Sequence, residues 1–371
     1  MRPRLGIGAQ ELELGDDSRK AGVGRYVLRT LETLMDGDWG YDLVVFHRAE
    51  TIIPDEWRER ATFVSEWPKT RLYELVGRDL EPIRHRLDAW WSLGGQVPRI
   101  PTLPRVSFVH DVFFLTEPGT YPPEIRRIHT RKAEAIARHA DLIATNSEHT
   151  REEVMTHLGR VPASVFAAPI GLGNLGERLN SAQARPEVPF ARYVFSLSTL
   201  EPRKNFPRLL QAWAFVVREP DFADVGLVVG GGKGWETADL EAEITRLGLA
   251  GRVHFLGYVP DAQVPHLFAG CEAFVLPSLI EGFGITVLEA MHYGAPVACA
   301  ATGSLPEVAG DLAEFFDPYD PATMAQAITA LLREPAEARA QRIERGAARA
   351  TTFSWERHVR TVLERIASYR R

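Results

Sequence analysis

The stretch "EAFVLPSLIEGFGITVLEAM" (residues 272–291) joins an apolar strand pattern to a helix pattern, and it decides the fold class. Its first part predicts a buried strand that ends at Ser278, and the helix pattern begins near Gly284. Gly282 and Gly284 allow the backbone of the intervening loop to approach a ligand closely. The start of a helix offers unpaired N–H groups and a partial positive charge. The junction therefore suits a phosphate, although a glutamate at this position is also an ordinary first-turn acid.

The same alternation of strand and helix patterns runs along the whole chain. Short apolar strand patterns occur in "YDLVVFHR", "RVSFVHDV", "DLIATNS", "SVFAAPI", "YVFSLST", "VGLVVGG", "RVHFLGYV" and "PVACAAT". Helical periodicity lies between them, in "YVLRTLETL", "HTREEVMTHL", "FPRLLQAWAFVV" and "ADLEAEITRLG". This alternation predicts parallel α/β sheets whose functional loops lie at the carboxyl ends of the strands.

The chain length and one irregular segment predict two domains. A chain of 371 residues exceeds what one ordinary core accommodates, and residues 171–191 are rich in Gly, Pro, Asn and Ser with weak periodicity. We therefore predict Rossmann-like domains at 1–175 and 191–355, joined by a linker at 176–190. Residues 356–371 form a predicted amphipathic helix, a candidate for packing back on the N-terminal domain.

The composition excludes several classes of protein. The net charge of −6 argues against nucleic-acid binding. The two cysteines, Cys271 and Cys299, have no CxxC spacing and no histidine cluster beside them, so we expect buried thiols rather than a metal site. The first residues contain no long apolar segment, and no apolar run of membrane-spanning length occurs anywhere. We expect a cytoplasmic protein, or one that also contacts the inner face of the membrane.

Two pairs of charged residues in the second half are candidates for ligand binding. Glu289 lies in a predicted helix apolar enough to bury it, so its carboxylate needs a partner, and ligand hydroxyls would serve. Glu281 precedes that helix and would face the same ligand. Arg203 and Lys204 precede a helix whose predicted N-cap is Asn205, where cations oppose the helix dipole. A bound anion would remove the conflict, and the alternative is a solvated pair of cations.

The first half carries weaker signals. Gly24 lies in "AGVGRYVLRTL", where glycines open the first helix, and His110 and Asp111 follow an apolar strand. Each pattern is also common in purely structural settings. The basic segment "EIRRIHTRKAEAIARHA" (124–140) predicts a helix that is either a solvated face or a surface for anionic lipid. The DxD formed by Asp36 and Asp38 follows the first helix in a polar stretch, and we interpret it as a turn.

Taken together, these motifs resemble glycosyltransferase family 4, a group of retaining transferases with a GT-B fold. "EGFGITVLEAM" resembles the family signature of two glutamates separated by seven residues, and "TLEPRKN" resembles its Arg/Lys diphosphate motif. "TGSLPEVAGD" resembles the stretch that usually follows, while "GVGRY", "HDV" and "ATNSEHTREEV" fit the acceptor-side domain. The resemblance implies an α/β protein of the GT-B type, with two Rossmann-like domains that face a central cleft.

The second-domain motifs imply a donor site. The resemblance implies that Glu281 binds hydroxyls of the donor sugar and that Glu289 holds the ribose hydroxyls. Backbone N–H groups of Phe283, Gly284 and Ile285 would meet the sugar and the diphosphate.

Further residues would act on the reacting groups. By the same resemblance, Arg203 and Lys204 neutralise the diphosphate leaving group. Gly24 would approach the phosphates, His110 would lie near the reacting sugar, and Asp111 belongs to the acceptor side.

The resemblance therefore implies a metal-independent hexosyltransferase with no cofactor besides its nucleotide-sugar co-substrate. "TLEPRKN" with "GVGRY" and "HDV" resembles the bacterial mannosyltransferase branch, which implies GDP-mannose as donor and a glycan or lipid-linked acceptor. A UDP-sugar donor is the alternative. A sugar-nucleotide epimerase, a non-catalytic sugar-nucleotide-binding protein and a dehydrogenase are the other candidates. The last lacks a convincing GxGxxG with an acid about 20 residues further on.

Overall fold

The computed structural model describes residues 2–12, 22–48, 50–66, 78–95, 97–99, 101–173, 186–234 and 239–369. The chain divides into two compact units. The first unit contains Met1–Gly171 and Phe353–Arg371, and the second contains Leu172–Thr352.

The first unit is built on a parallel sheet. Its described strands are β1 (Arg4–Gly8), β2 (Asp42–Arg48), β3 (Thr62–Glu66), β4 (Ala89–Ser92), β5 (Arg105–Val109), β6 (Leu142–Thr145) and β7 (Val165–Ala167). Their spatial order is β3-β2-β1-β4-β5-β6-β7, and every neighbouring pair is parallel. The order reverses between β1 and β4. In open α/β sheets, the crevice at such a switch point is where ligands bind.

Helices cover the faces of this sheet. The described helices are α1 (Gly22–Asp36), α2 (Asp55–Arg58), α3 (Arg78–Arg84), α4 (Phe113–Thr116), α5 (Pro123–His139) and α6 (Glu148–Leu158). The strands β1, β4, β5 and β6 are almost entirely buried, as expected for a parallel sheet with helices on its faces. The core they enclose includes the fully buried rings of Tyr26, Phe46, Trp90 and Phe108.

The last helix of the chain, α14 (Trp355–Ser368), belongs to the first unit. Its apolar face packs on α1 and buries Val359, Val362 and Ile366. The buried ring of His358 donates through Nδ1 to the carbonyl oxygen of Ala168 at 2.8 Å, since a carbonyl can only accept. Its Nε2 therefore accepts from the Tyr26 hydroxyl at 3.1 Å. Burial lowers the pKa of His358 to about 4, which keeps this ring neutral.

The second unit repeats the same architecture. Its strands are β8 (Arg192–Leu197), β9 (Val225–Gly230), β10 (Val253–Gly257), β11 (Ala273–Leu276), β12 (Val297–Ala300) and β13 (Ala313–Phe316). All neighbouring pairs are parallel in the order β10-β9-β8-β11-β12-β13. Renumbered from one, this is the Rossmann order 3-2-1-4-5-6, and its switch point lies between β8 and β11.

The second unit carries α7 (Phe206–Val216), α8 (Leu240–Leu247), α9 (Val264–Gly270), α10 (Ile285–His292), α11 (Leu305–Ala309), α12 (Pro321–Leu332) and α13 (Ala336–Ala350). Helices α7 and α12 pack together, and α10 packs against α13. Across the described part of both units, no helix has the length and apolar character needed to cross a membrane.

The predicted parallel α/β class and all nine predicted strands are confirmed. The sequence-based prediction omitted β1, β3, β4 and β13. Residues 174–185, most of the predicted linker, lie outside the described residues. The predicted end of the second domain at 355 differs from the structure, because Phe353, Ser354 and Trp355 lie with the first unit. Trp355 packs so closely on Gly171 that a Cβ there would lie 2.6 Å from its ring.

Candidate active site

The switch point of the second sheet brings the predicted cations and the first predicted acid together. Arg203 and Lys204 follow β8, and Glu281 follows β11, the neighbouring strand. A hydrogen bond from the Leu279 N–H to the Arg203 carbonyl, 2.8 Å long, ties the two loops to each other. Residues separated by almost eighty positions in sequence thus form one cluster at the carboxyl edge of the sheet.

Glu281 bridges the two cations. Its Oε1 lies 2.6 Å from Lys204 Nζ, and its Oε2 lies 3.0 Å from Arg203 Nη1. The three side chains are only 11–14% exposed. Burial by itself raises the pKa of Glu281, but the charges of Lys204 and Arg203 outweigh it and lower that pKa to about 2. Burial and the neighbouring charge of Arg203 lower the pKa of Lys204, against the opposing effect of Glu281.

A second acid, Glu201, completes the cluster, and the sequence analysis assigned it no role. Its Oε1 lies 2.8 Å from Arg203 Nη2, and the residue is buried. The spacing in "LEPRK" was the available signal, because a short 3₁₀ turn at Pro202–Lys204 folds residue 201 back toward residue 203. Two carboxylates therefore balance two cations inside the cluster.

Asn205 occupies the N-cap position of α7, as predicted, but its side chain does not cap the helix. Its backbone is left-handed, with φ at 59°, and its side chain makes no capping hydrogen bond. Instead, its Nδ2 donates to the carbonyl oxygens of Pro277 at 3.0 Å and Pro318 at 2.7 Å. The predicted N-cap position is confirmed, but the buried amide binds two loop carbonyls instead of the first N–H groups of the helix.

The glycine-punctuated loop forms the start of α10, as predicted. Gly284 occupies the N-cap position with φ at 86°, and the helix begins at Ile285. A Cβ on Gly284 would lie 2.4 Å from Leu305 Cδ2, so both the backbone angle and the space require glycine. Phe283 beside it is buried. The first N–H groups of a helix lack intrahelical partners, so a helix start of this kind is suited to an anion.

Glu289 is buried within α10, as its apolar neighbours predicted. The chain around Gly173 passes so close that a Cβ there would lie 2.3 Å from Glu289 Oε1. Burial, and next the charge of Glu289, raise the pKa of Tyr293. Glu289 lies on α10, the helix that begins just after Phe283 and Gly284.

The structure places the predicted first-unit residues at the carboxyl edge of β5 and in α1. His110 follows β5, and burial and then the charge of Lys132 lower its pKa to about 3, so the imidazole is neutral near pH 7. Asp111 Oδ1 accepts from the Phe113 N–H at 3.2 Å, a local turn contact. Glycines open the first helix as predicted, because α1 begins at Gly22 and Gly24 lies inside its first turn.

The remaining sequence-based interpretations concern metals and turns. Both cysteines are buried, and burial raises the pKa of each thiol. Asp36 ends α1, while Asp38 pairs with Arg2 at 2.9 Å and accepts from the Gly40 N–H, so the DxD forms a turn as predicted. Within the described ranges, no group of three or more His, Cys, Asp or Glu side chains has the arrangement of a metal site.

A groove of about 440 Å³ lies between α7 and α12, away from the site residues. Its walls include Phe215, Gln326 and Thr329, and the cation Arg333 in it is paired with Glu219. This groove lacks the convergent charges of the cluster around Glu281, so we assign the candidate active site to the switch point.

Comparison with known proteins identifies the class of this fold and site. The family model "Glycosyl transferases group 1" matches residues 181–349. The O-antigen chain mannosyltransferase B of Escherichia coli is 32% identical over 256 residues, which cover 68% of this chain and 67% of that protein. A D-inositol 3-phosphate glycosyltransferase of Corynebacterium diphtheriae is 30% identical over 57% of this chain and 52% of its own length.

Solved structures show the same fold at lower identity. A sucrose-phosphate synthase from Thermosynechococcus elongatus aligns over 97% of both chains with a TM-score of 0.71 and 18% identity. Anabaena HepE, solved with UDP and glucose, aligns over 100% of both chains with a TM-score of 0.70 and 18% identity. The fold is therefore GT-B. The chain belongs to the group 1 glycosyltransferases, the family 4 type that its motifs resemble, and it resembles their bacterial mannosyltransferase branch.

Proposed function

We propose that this glycosyltransferase moves mannose from GDP-mannose to a glycan or lipid-linked acceptor, with retention of anomeric configuration and without a metal. The observation that carries the proposal is the buried cluster of Arg203, Lys204 and Glu281 beside the N-terminus of α10. It combines two cations for a diphosphate with a carboxylate for sugar hydroxyls at the switch point of a Rossmann-like sheet.

The proposed chemistry requires stabilisation of a leaving phosphate. The bond between the anomeric carbon and the phosphate oxygen breaks, and the acceptor oxygen bonds to that carbon on the same face. The acceptor's proton passes to the departing phosphate oxygen. Negative charge grows on the diphosphate, and the positive charges of the buried Arg203 and Lys204 stabilise it. By analogy with oxyanion holes, each such donor is worth about 3 kcal/mol.

The other site residues take supporting roles in this proposal. Glu281 binds hydroxyls of the donor sugar, and Glu289 binds the ribose hydroxyls. The backbone N–H groups of Phe283, Gly284 and Ile285 bind the sugar and the diphosphate.

The first unit contributes the remaining roles. Gly24, in the first turn of α1, approaches the phosphates without a side chain in the way. His110, which is neutral, lies near the reacting sugar and accepts a hydrogen bond, while Asp111 lies on the acceptor side.

The donor assignment rests on the similarity to the O-antigen mannosyltransferase. A UDP-sugar is the second candidate donor, because GT-B proteins such as HepE are solved with UDP. A non-catalytic sugar-nucleotide-binding protein would keep the same cluster but form no product.

We also propose that the protein acts in the cytoplasm and contacts the inner face of an anionic membrane through α5. The described α5 has exposed Arg126, Arg127, Ile128 and Arg131, and its buried residues are Ala133 and Ile136. This basic surface would bring the protein to lipid-linked acceptors.

A calorimetric titration with GDP-mannose, GDP, UDP-glucose and UDP, repeated with EDTA, tests the donor. Binding of the guanine nucleotides that survives chelation supports the proposal. A preference for uracil nucleotides would mean that the donor is a UDP-sugar instead of GDP-mannose. NMR of the product's anomeric proton tests retention. Binding without product in the presence of glycan acceptors favours the non-catalytic alternative, and binding of none of the four removes the proposed function.

Replacing Lys204 with Ala tests the cluster itself. We expect turnover to fall at least about a hundredfold, because one buried donor to the leaving phosphate is lost. Arg246→Ala, an exposed cation of the same unit, should leave turnover unchanged. Near-native turnover of a folded Lys204→Ala protein would remove Lys204 from the mechanism.

A further inference from the structure

The switch point of the first sheet carries a second group of polar residues. Glu11 follows β1, and Gly94 follows β4, the strand beside it where the strand order reverses. His110 follows the next strand, β5, and Asn146 follows β6. The carboxyl ends of four adjacent strands thus bring these residues to one edge of the first unit.

Three acceptor atoms in this group are buried, and none has a hydrogen-bond partner in the part of the chain that the structure describes. They are Glu11 Oε2, His110 Nε2 and Asn146 Oδ1. The other ends of two of these side chains are held in place. Glu11 Oε1 accepts from Lys132 Nζ at 3.1 Å, and Asn146 Nδ2 donates to the His110 carbonyl at 2.9 Å. Buried acceptors without donors are unfavourable, so they favour a ligand that brings donors.

The charges of this group favour a neutral ligand. Lys132 is balanced by Glu11, and His110 is neutral because its pKa is low. The remaining carboxylate oxygen accepts hydrogen bonds and repels anions. Hydroxyl groups satisfy these acceptors, whereas a phosphate supplies no comparable donors and meets the charge of Glu11.

Space for such a group lies at Gly94. A Cβ built on Gly94 would lie 3.7 Å from His110 Nε2, 4.0 Å from the Glu11 Cδ and 3.3 Å from Val23 Cγ1. A Cβ at this position would thus lie between the carboxylate and the imidazole and press on Val23, whereas glycine leaves the space beside both groups open. A larger side chain at position 94 would close it.

We propose that Glu11 is a positioning residue for the acceptor, and that its Oε2 accepts a hydrogen bond from a hydroxyl of an uncharged acceptor sugar. Glu11 thereby disfavours a phosphorylated sugar at this position. The inference rests on the proposed glycosyl transfer and specifies its acceptor class. The donor sugar also carries hydroxyls, so the experiment must separate the two sources.

The test compares methyl α-mannopyranoside with mannose 6-phosphate as acceptors, with the donor that the calorimetric titration identifies. The native protein should prefer the uncharged sugar. Glu11→Gln should raise the KM for that sugar about tenfold, since a hydrogen bond to a charged group is weakened. The same change should improve the relative use of mannose 6-phosphate, because the repelling charge is gone. A merely structural role would lower the use of both acceptors equally.

Two matched controls accompany this variant. Glu153→Gln alters another partly buried carboxylate of the first unit, 22% exposed against 24% for Glu11. This variant should change neither the KM for the uncharged sugar nor the relative use of mannose 6-phosphate. Gly94→Ala fills the gap but keeps Glu11, and should also raise the KM for the uncharged sugar. Gly119→Ala, where a Cβ meets nothing within 4 Å, serves as its control.

Several results would overturn the inference while leaving the proposed function intact. One is an equal loss with both acceptors in Glu11→Gln. Another is a raised donor KM with unchanged acceptor KM, which assigns the hydroxyls to the donor sugar. A native protein that hydrolyses its donor but transfers to neither sugar also overturns it. Failure to bind any donor would instead remove the proposed function.

Discussion

The carboxylate of Glu281 lies where a phosphate would meet Arg203 and Lys204. A carboxylate resembles one edge of a phosphate in charge and in its two acceptor oxygens, which is why arginine binds both in the same way. A diphosphate that approaches these cations must therefore compete with Glu281. Once displaced, Glu281 is a buried carboxylate that needs donors, and sugar hydroxyls supply them. The same residue would then serve the empty and the occupied site with different partners.

This competition predicts opposite effects of Glu281→Gln on binding and on transfer. Free GDP, which has no sugar for Glu281 to bind, should bind the variant about tenfold more tightly because the internal competitor loses its charge. Transfer should fall about a hundredfold or more, because the hydroxyls of the donor sugar lose the carboxylate that accepts their hydrogen bonds. Calorimetry with GDP and a transfer assay measure the two effects. Glu314→Gln, another acid paired with an arginine in the second unit, is the control. Weaker GDP binding by a folded variant would contradict the competition.

The low pKa of Glu281 also predicts a pH dependence of stability. A carboxylate whose pKa falls from 4.5 unfolded to about 2 folded stabilises the protein above pH 4.5. This contribution, roughly 3 kcal/mol at 1.4 kcal/mol per pKa unit, is lost as the pH falls from 4.5 toward 2. The difference in unfolding free energy between the native protein and Glu281→Gln should shrink over that window. A difference that stays constant between pH 6 and pH 3 would contradict the assigned ion pairs.

Among the elements, α5 carries the surface for which we propose membrane contact. Changing Arg126, Arg127 and Arg131 together to Gln should abolish binding to anionic vesicles at low salt, because the attraction is electrostatic and is screened by salt. Co-sedimentation with vesicles of anionic and of neutral lipid, at low and high salt, measures it. The control removes three exposed arginines elsewhere, Arg58, Arg246 and Arg345. Equal loss in both variants would indicate net charge rather than α5, and no binding by the native protein would leave α5 a solvated helix.

The strands show how far the sequence predicts elements. Strands such as β9 and β11 are apolar runs bounded by turn residues, so their pattern is visible. In β1, Gly6 and Gly8 interrupt the apolar sequence pattern. A Cβ at Gly6 would lie 2.5 Å from Leu87, so packing requires this glycine, which sequence periodicity does not reveal. Strand β4 is only four residues long, and the buried sheet removes the alternation that would mark it.

In the candidate active site, too, some features could be predicted from the sequence and others could not. The positions of Arg203, Lys204 and Glu281 were predictable, because strand–loop–helix junctions place charged residues at the carboxyl edge of a sheet. The burial of Glu289 was predictable from its apolar neighbours in α10. The hydrogen-bond and ion-pair partners of these residues could not be predicted. That Glu281 pairs with both cations, and that Asn205 binds loop carbonyls instead of capping α7, depends on which strands are neighbours, and β8 and β11 are far apart in sequence.

On the scale of the whole molecule, the chain builds one α/β unit, then a second, and finally returns α14 to the first. The first unit is therefore incomplete until α14 has been synthesised. Its buried His358 links α14 to the carbonyl of Ala168 and to the hydroxyl of Tyr26 in α1. His358 and His110 are both buried neutral in this unit, whereas the buried ionisable cluster of the second unit consists of paired charges.

The two units should consequently respond to acid at different pH values. A histidine whose pKa falls from 6.5 unfolded to about 4 folded binds fewer protons in the folded state between those values, so stability is lost as pH falls below 6.5. His110 adds to this loss down to about pH 3. The Glu281 cluster begins to lose stability only below pH 4.5. The first unit should therefore weaken more than the second at about pH 5, although burial also lowers the pKa of one histidine of the second unit, the half-buried His292.

Hydrogen exchange at pH 7 and pH 5, corrected for the intrinsic exchange rate, would measure this difference. Amides in α14 and β5 should lose protection at pH 5, while those in α7, which contains no histidine, keep it. His358→Gln removes one titrating group, and although it lowers stability at pH 7, it should reduce the loss between pH 7 and pH 5. His254→Gln, a partly buried histidine on β10 of the second unit, is the matched control. Equal loss of protection in both units would mean that acid sensitivity does not originate in the buried histidines of the first.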